Sequence, residues 1–429
     1  MSVLFKNASI LMPDMSVLES AYLGVEGDKI DYIGESEPEK KYAETRDYKD
    51  KLLIPGLVNA HTHAAMTLLR GVGSDLKLQD WLFNKIFPIE DKLTAEDMRV
   101  GGSLAMLEML RTGTTSFSDM YFFPHMLCEA VGEAGMKANI SRAVVAASPD
   151  ERWEDSFRIR ESVELFDGYH NSYDGRIKVD LCVHAEYTNN ESIARRLGEL
   201  CDEKGAIMHV HVSETRSEHD ECITRHGCTP TQWLDKLGCL NGKALLAHGI
   251  WLSDEDVELI RAKKLSVVHN PTSNMKLGSG FAPVQKMLDM GIRVGLGTDG
   301  TASNNNLDML EEMHLAAVIH NGYTGDPTIM KPVDIIRMAT ANGAYAQGRE
   351  DTGALAVGMK ADVAAIDLDK PHLIPNLDTL ALLCYSVQGS DVCMTMVDGK
   401  ILYENGEYKT LDKEKIYFDV RKSVERLYR

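Results

Sequence analysis

No basic tract, no CxxC pair and no apolar run of membrane-spanning length occurs in these 429 residues. Each absence removes a class of function. Without a Lys/Arg cluster, and with a formal net charge of −19, the surface on average repels phosphate backbones and anionic lipid. Neither nucleic acid nor a membrane is an expected partner. The eight cysteines stand singly, and a chain of this size has no need of disulfides. The opening stretch MSVLFKNASILMPDMSVLES has no basic n-region leading into a long apolar run and a cleavage site, and no segment nears the length of a membrane span. A cytoplasmic protein is expected. What remains is an ordinary globular balance, 44% hydrophobic and 26% charged. The length suits one large barrel with a small accessory domain.

The two ends of the chain share a style. SVLFKNASILM and AYLGVEGDKIDYIGE near the start, and GALAVGMKADVAAIDLD and VCMTMVDGKILYENGEYK near the end, are β-formers broken by Gly-Asp, Asp-Gly and Asn-Gly turns. They predict one small β-sandwich built from residues 1–55 and 355–429, with a charged terminal helix. Between them, over 56–354, short apolar runs alternate with helical periodicities. Eight such runs occur: LIPGLVNAHTH, TTSFSD, KANISRAVV, IKVDLCVHAE, AIMHVHVSET, ALLAHG, LSVVHNP and IRVGLGTDG. Eight βα units predict an α/β fold, a (β/α)8 TIM barrel.

Such barrels place their sites at the C-terminal ends of the strands. Six of the eight runs end there in His, Asp or both: His61 and His63, His184, His209 and His211, His248, His269 and Asp299. A lone histidine at a strand end is ordinarily a satisfied structural residue, and Asp119 in the second run reads as a cap for the helix that follows. Six coincident cases are another matter, because each costs free energy when buried unless paired or metal-bound. His-x-His on a strand points both rings to one side, so His61 and His63 form a chelating pair. With His211, His248 and Asp299 they make a donor set for one divalent metal, zinc or iron(II). His209 is read as supporting the ligands, and Glu214 lies just past them, where a loop can return a carboxylate. Asn304, Asn305 and Asn306 read as helix-capping residues.

The stretches PGLVNAHTH (55–63), HVHVSET (209–215), LAHGIWL (246–252), VVHNPTSNMKLGSG (267–280) and GLGTDGTASNNN (295–306) resemble the amidohydrolase superfamily. LQDWLFNKIFPIEDKLTAEDM (78–98) and RTGTTSFSDMYFF (111–123) are similar to its deaminases of S-adenosylhomocysteine and 5′-methylthioadenosine. That resemblance implies a metal on His61, His63, His211 and Asp299. His248 would stand beside it, as a ligand or as the group that orients water or substrate. Glu214 would carry protons and Glu90, after Trp81, would contact the ribose. His184 would sit by the sugar or its 5′ substituent, with Ser303 close to the substrate. Trp81 and His269 are further expected contacts, the latter to a purine edge. A basic residue after the third strand would hold a carboxylate tail: Arg152, with Arg158 and Arg142 as alternatives. Two features depart from the pattern. Glu186 occupies a position where a small residue or Pro is usual. Lys178 comes too early in its strand to act as the carboxylated lysine of binuclear members, so one metal is expected.

The implied reaction is hydrolytic removal of an amino group from an adenosine-type nucleoside. The metal would activate water, Asp299 would take its proton, and Glu214 would protonate the ring nitrogen beside the attacked carbon. Partners would be the nucleoside and water, with homo-oligomerisation left open. Two rival readings share the chain: a nucleobase deaminase or triazine-type hydrolase on the same ligands, and a non-catalytic barrel, which would be expected to lose ligands.

Overall fold

The computed structural model describes residues 2–73, 75, 76 and 78–429. All eight expected barrel runs are strands. They are Leu57–Thr62, Thr114–Tyr121, Lys137–Arg142, a fourth in two pieces (Ile177–Val179 and Leu181–Val183), Met208–Val212, Ala244–His248, Ser266–His269 and Arg293–Leu296. Every neighbouring pair is parallel. The fourth strand breaks at Asp180, whose amide still bonds Ile140 O while Leu181 N bonds Ile207 O, so the wall is continuous there. Closure from the eighth strand to the first rests on one backbone bond and on the side chains of Asn59 and Thr62, the latter donating to Asp299 O. Asp299 N donates to His61 O at 3.0 Å. Asn59 Oδ1 accepts from Thr298 N, and its Nδ2 donates to Thr298 Oγ1.

Alternation along the strands sorts the layers. On Met208–Val212, the residues Met208, Val210 and Val212 join the apolar layer under the helices, while His209 and His211 meet the other histidines. The helices are delimited by local chemistry. Asn190 caps Glu191–Lys204 by accepting from Ile193 N, and Gly205 ends that helix in the left-handed conformation at φ +64.

Both chain ends build the small domain, as expected. Its strands form one nine-stranded sheet running from Lys29–Gly34 through Ser2–Leu11 and Lys51–Pro55 to Val363–Asp367 and Glu407–Tyr408. The two layers of the expected sandwich are thus parts of one bonded sheet around Phe5, Leu23, Val363 and Met394. Lys137, at the base of the third barrel strand, ties the domains together through Asp362 and Asp398 at 2.6 and 2.8 Å.

The terminal helix Lys413–Leu427 packs on the barrel helix Ala95–Arg111. Its Leu427 joins Leu69, Trp81 and Ile86 in one apolar cluster. The chain's last element therefore buttresses the segment that crosses the barrel mouth, which comprises Ala64–Leu69, Leu78–Trp81, a π-helical turn Leu82–Ile86, and Phe87–Glu90. Among the described residues no helix is long and apolar enough to cross a membrane.

Candidate metal centre and active site

The strand ends converge on one point. His61 closes the first strand and His63 follows it, His211 lies on the fifth strand, His248 ends the sixth, and Asp299 follows the eighth. Three residues of this rim are non-glycines with positive φ: Ser213 at +48, His248 at +73 and Asp299 at +58. Such conformations cost free energy and persist where the surroundings over-determine them. Here they do: Thr62 Oγ1 and Thr298 Oγ1 both donate to Asp299 O, and Gly249 N donates to Val212 O just past His248.

Each imidazole is aimed by its Nδ1. His63 Nδ1–H donates to Met120 O at 2.6 Å, His211 Nδ1–H to His184 O at 2.8 Å, and His248 Nδ1–H to Asn274 Oδ1 at 2.9 Å. His61 Nδ1 faces His209 Nε2 at 2.9 Å. A proton fixed on Nδ1 leaves the Nε2 lone pair free for a ligand, the arrangement metal-binding histidines adopt. The coordinating atoms of His61, His63 and His211 lie within 4.8 Å of one another, as do those of His61, His248 and Asp299. Asp299 Oδ1 stands 3.5 Å from His61 Nε2 and 3.1 Å from His63 Nε2, while its Oδ2 accepts from Ser273 and Ser303.

The residues fit a divalent cation. His61 Nε2 is fully buried with no hydrogen-bond partner, aimed into the cluster. A buried nitrogen of this kind is costly unless something binds it. Nitrogen-rich donors with one carboxylate suit a borderline transition metal. Burial would raise Asp299, yet the contacts from His61 and His63 hold its carboxyl well below the usual range.

Above this floor opens a cavity lined by Glu214, Glu90, His184, Ser303, Trp81 and Tyr121, among others. Glu214 Oε2 lies 3.9 Å from His248 Nε2. Burial pushes the Glu214 carboxyl up; His248 opposes this and the charge of Asp299 adds to it. Glu90 accepts from Tyr121 OH at 2.5 Å, and burial raises it to about 7 against that bond. Trp81 is a wall, its indole N–H spent on Val72 O. Ser303 reaches the cavity while bonded to Asp299.

Two expectations fail on geometry, those for His269 and Asp119, and the arginine expected to hold a substrate tail stands in an outer chamber beyond the inner cavity. His269 does not line the cavity: its Nε2 meets His320 Nε2 at 3.1 Å behind the wall, fully buried, so it makes no purine contact. Arg152 projects outward with its side chain 71% exposed and paired to Glu154, on the rim of an outer chamber. Of its alternatives, Arg142 is spent on Glu161 and Ala143 O, and Arg158 lines neither space. Asp119 caps the first-strand loop, accepting from Ala64 N at 2.6 Å, and not the helix after its own strand.

Other placements follow the reading. His209 backs His61. Lys178 sits at the base of its strand and donates to Gly348 O. The asparagines depart from the reading: Asn304 bonds Thr298 O and Glu312, and Asn306 bonds Glu311, while Asp308 is the residue that caps the next helix. Glu186 is buried and paired with Arg225 at 2.6 Å, with His226 Nε2 at 2.9 Å. Sequence reasoning missed Tyr121 and Asn274. The stretch HNPTSN after the seventh strand carried a signal for the second, since a short strand–helix turn returns its polar residues to the rim.

The Amidohydrolase family model matches residues 52–402. A 5-methylthioadenosine/S-adenosylhomocysteine deaminase of Caldanaerobacter subterraneus subsp. tengcongensis is 44% identical, covering 100% of this chain and 99% of its own. A 5′-deoxyadenosine deaminase of Methanosarcina acetivorans is 42% identical, covering 99% and 98%. A solved adenosine deaminase from Xanthomonas campestris with bound zinc superposes with a TM-score of 0.93 at 31% identity, covering 99% of this chain and 98% of that one. Eight parallel strands, a His-rich rim and matches along the whole length agree, and the chain belongs to the amidohydrolase family.

Proposed function

We propose that the protein is a hydrolytic deaminase of adenosine-type nucleosides, replacing the 6-amino group of the purine with oxygen and releasing ammonia. The observation that carries this reading is the placement of Glu214. A buried carboxyl with a raised pKa faces the cavity 3.9 Å from His248, on the rim of a metal-binding cluster of which it is not a member. Supporting it are the relatives named for deamination of 5′-substituted adenosines.

The metal would be held by His61, His63, His211 and Asp299, with His248 at its side. Zinc is the metal we propose, on the donor set and on the zinc of the Xanthomonas neighbour. Bound there, it lowers the pKa of water towards neutrality. The remaining chemistry belongs to this chain. Asp299 Oδ1 takes a proton from the attacking water. His248 Nε2, its ring locked by Asn274, orients that water. Glu214 gives a proton to N1 of the purine as oxygen adds to C6, so charge does not accumulate on the ring. Proton delivery to the amino group then lets the C–N bond break. Nucleoside and water give the 6-oxo nucleoside and ammonia, with no redox change. Glu90 takes the ribose hydroxyls, and Trp81, His184 and Ser303 complete the walls. Phe87, Val145 and Tyr187 line both this cavity and the outer chamber, and the 5′ substituent leaves through that neck.

The test is ammonia release by zinc-loaded enzyme from adenosine, 5′-deoxyadenosine, 5′-methylthioadenosine, S-adenosylhomocysteine, adenine, guanine and cytosine. The nucleosides should turn over, and Glu214→Gln should lower kcat by about 10²- to 10⁴-fold. Turnover confined to free bases, or a Glu214→Gln variant of full activity, overturns the reading.

A further inference from the structure

Glu214 makes no hydrogen bond through its carboxyl to any described residue. Among the described residues its one partner in salt-bridge range is His248, at 3.9 Å. Its aim is therefore set from the backbone, and the backbone is held by an unusual partner. Glu218 lies one helical turn on, buried, with no Lys, Arg or His in salt-bridge range among the described residues. Its Oε1 accepts from Ser213 N at 3.0 Å. Its Oε2 accepts from Glu214 N at 2.7 Å and, at 3.5 Å, from Thr215 N.

Part of this is helix-start chemistry. Thr215 Oγ1 accepts from Glu218 N, and Glu218 reaches back to the amide of Thr215, the reciprocal box that opens Arg216–His226. That box needs one contact back to the cap. Glu218 makes its shorter contacts to the two residues before the cap, Ser213 and Glu214, neither of which is in the helix. Ser213 has a left-handed φ of +48, so the chain turns sharply there. On the other side, Ile250 N and Trp251 N both donate to Ser213 O, tying the turn to the loop that follows His248.

We propose that Glu218 is a positioning residue for the reaction, fixing the Ser213–Thr215 turn so that the Glu214 carboxyl points into the cavity. A helix start alone does not call for a second buried carboxylate beside Glu214. Burial, and then the charge of Glu214, push Glu218 up to about 8. A surface Glu or Gln would cap the helix without that cost. Groups placed against their own stability are expected where geometry serves a site. The inference rests on the reading of Glu214 as the proton carrier.

The experiment compares zinc-loaded Glu218→Gln, Glu218→Ala, Thr215→Ala and Glu214→Gln on the nucleoside that the unaltered enzyme turns over fastest. kcat, KM, metal content and melting temperature are read for each. Glu218→Gln keeps the side-chain shape but turns an NH2 towards one of the backbone amides that the carboxyl oxygens accept from. It should lower kcat by about 10- to 100-fold with KM within about threefold and metal content unchanged. Glu218→Ala should fall further, and Thr215→Ala should lose melting temperature while keeping kcat. Equal losses of kcat in Thr215→Ala and Glu218→Gln would assign the effect to turn folding and overturn the inference. So would a Glu218→Gln variant with full kcat and a lowered melting temperature. Full activity in Glu214→Gln sinks the proton-carrier reading itself, whereas an inactive Glu214→Gln beside a fully active Glu218→Gln sinks only this one.

Discussion

Two buried polar clusters occupy the interior of one barrel, at different depths and on different strands. Towards the C-terminal ends lie His61, His63, His211, His248 and Asp299. Towards the N-terminal ends lie Ser116, Ser118, Asn139, Asp180 and Gln347. The lower cluster closes on itself. Ser116 Oγ donates to Gln347 Oε1 at 2.6 Å and Gln347 Nε2 to Ser118 Oγ at 3.0 Å. Asn139 Nδ2 donates to Asp180 and to Gln347 O. Asn139 Oδ1 is its one side-chain atom without a partner. The upper cluster is built the opposite way. Its outer atoms are saturated by Met120 O, His184 O, Asn274 and the serines, while its inner atoms converge with no donor between them. Burial of polar groups is common to both, so burial alone does not mark a site. Convergent atoms left open, with every back-side atom bonded, do.

The sharpest way to break this comparison is to remove a converging atom. Asp299→Ala deletes the only carboxylate of the upper cluster, leaving Ser273 without its acceptor and Ser303 with Gly300 O alone. It should abolish stoichiometric zinc by elemental analysis and cost about 10³-fold or more in kcat, the equivalent of several kcal/mol. Full metal content and near-normal turnover would show that the convergence is incidental. A smaller effect is expected one step out. Asn274→Ala keeps all five converging side chains but frees the Nδ1 side of His248. Ligand-orienting partners of this kind are worth about 10- to 100-fold, so kcat should fall in that range, with zinc still bound through the other ligands. An unchanged kcat would mean that packing alone aims His248.

This contrast also explains what the sequence disclosed. The barrel and its ligands were legible because both are written locally. Period-two alternation puts His61 with His63 on one side of a strand, and an apolar run ending in His or Asp marks a strand end. Contacts that depend on where separate loops travel were not legible. His269 ends its strand as His248 does and reads as a substrate contact, but only the structure shows its ring turned to His320 behind the wall. Arg152 lay on the expected loop, and only the structure shows that it lines the outer chamber and not the inner cavity. Asp119 was read through its own strand, whereas it bonds Ala64, which opens the helical turn after the neighbouring strand. The roles of Tyr121 and Asn274 likewise come from contacts across the mouth, to partners 31 and 26 residues away.

The smallest effect on catalysis, and the cleanest control, belongs to the lower cluster. Burial pushes the Asp180 carboxyl up to about 7 from an unperturbed 3.8, against the donors on Asn139 and the nearby Arg349 and Lys178. Between those two values the folded chain keeps a proton that the unfolded chain releases. Rising pH therefore favours unfolding across that window. The stabilisation is full below about pH 4 and gone above about pH 7, amounting to about 4 kcal/mol at most. Asp180→Asn is neutral at every pH and close in shape, so this dependence should vanish. Its melting temperature should exceed that of the unaltered protein by a margin that widens from pH 5 to pH 8, with kcat within about twofold at each pH. A constant margin would mean that Asp180 is ionised in the folded chain. A loss of kcat as large as that of Asn274→Ala would mean that the closed cluster at the base of the barrel also serves the reaction at its mouth, and the distinction between the two would fall.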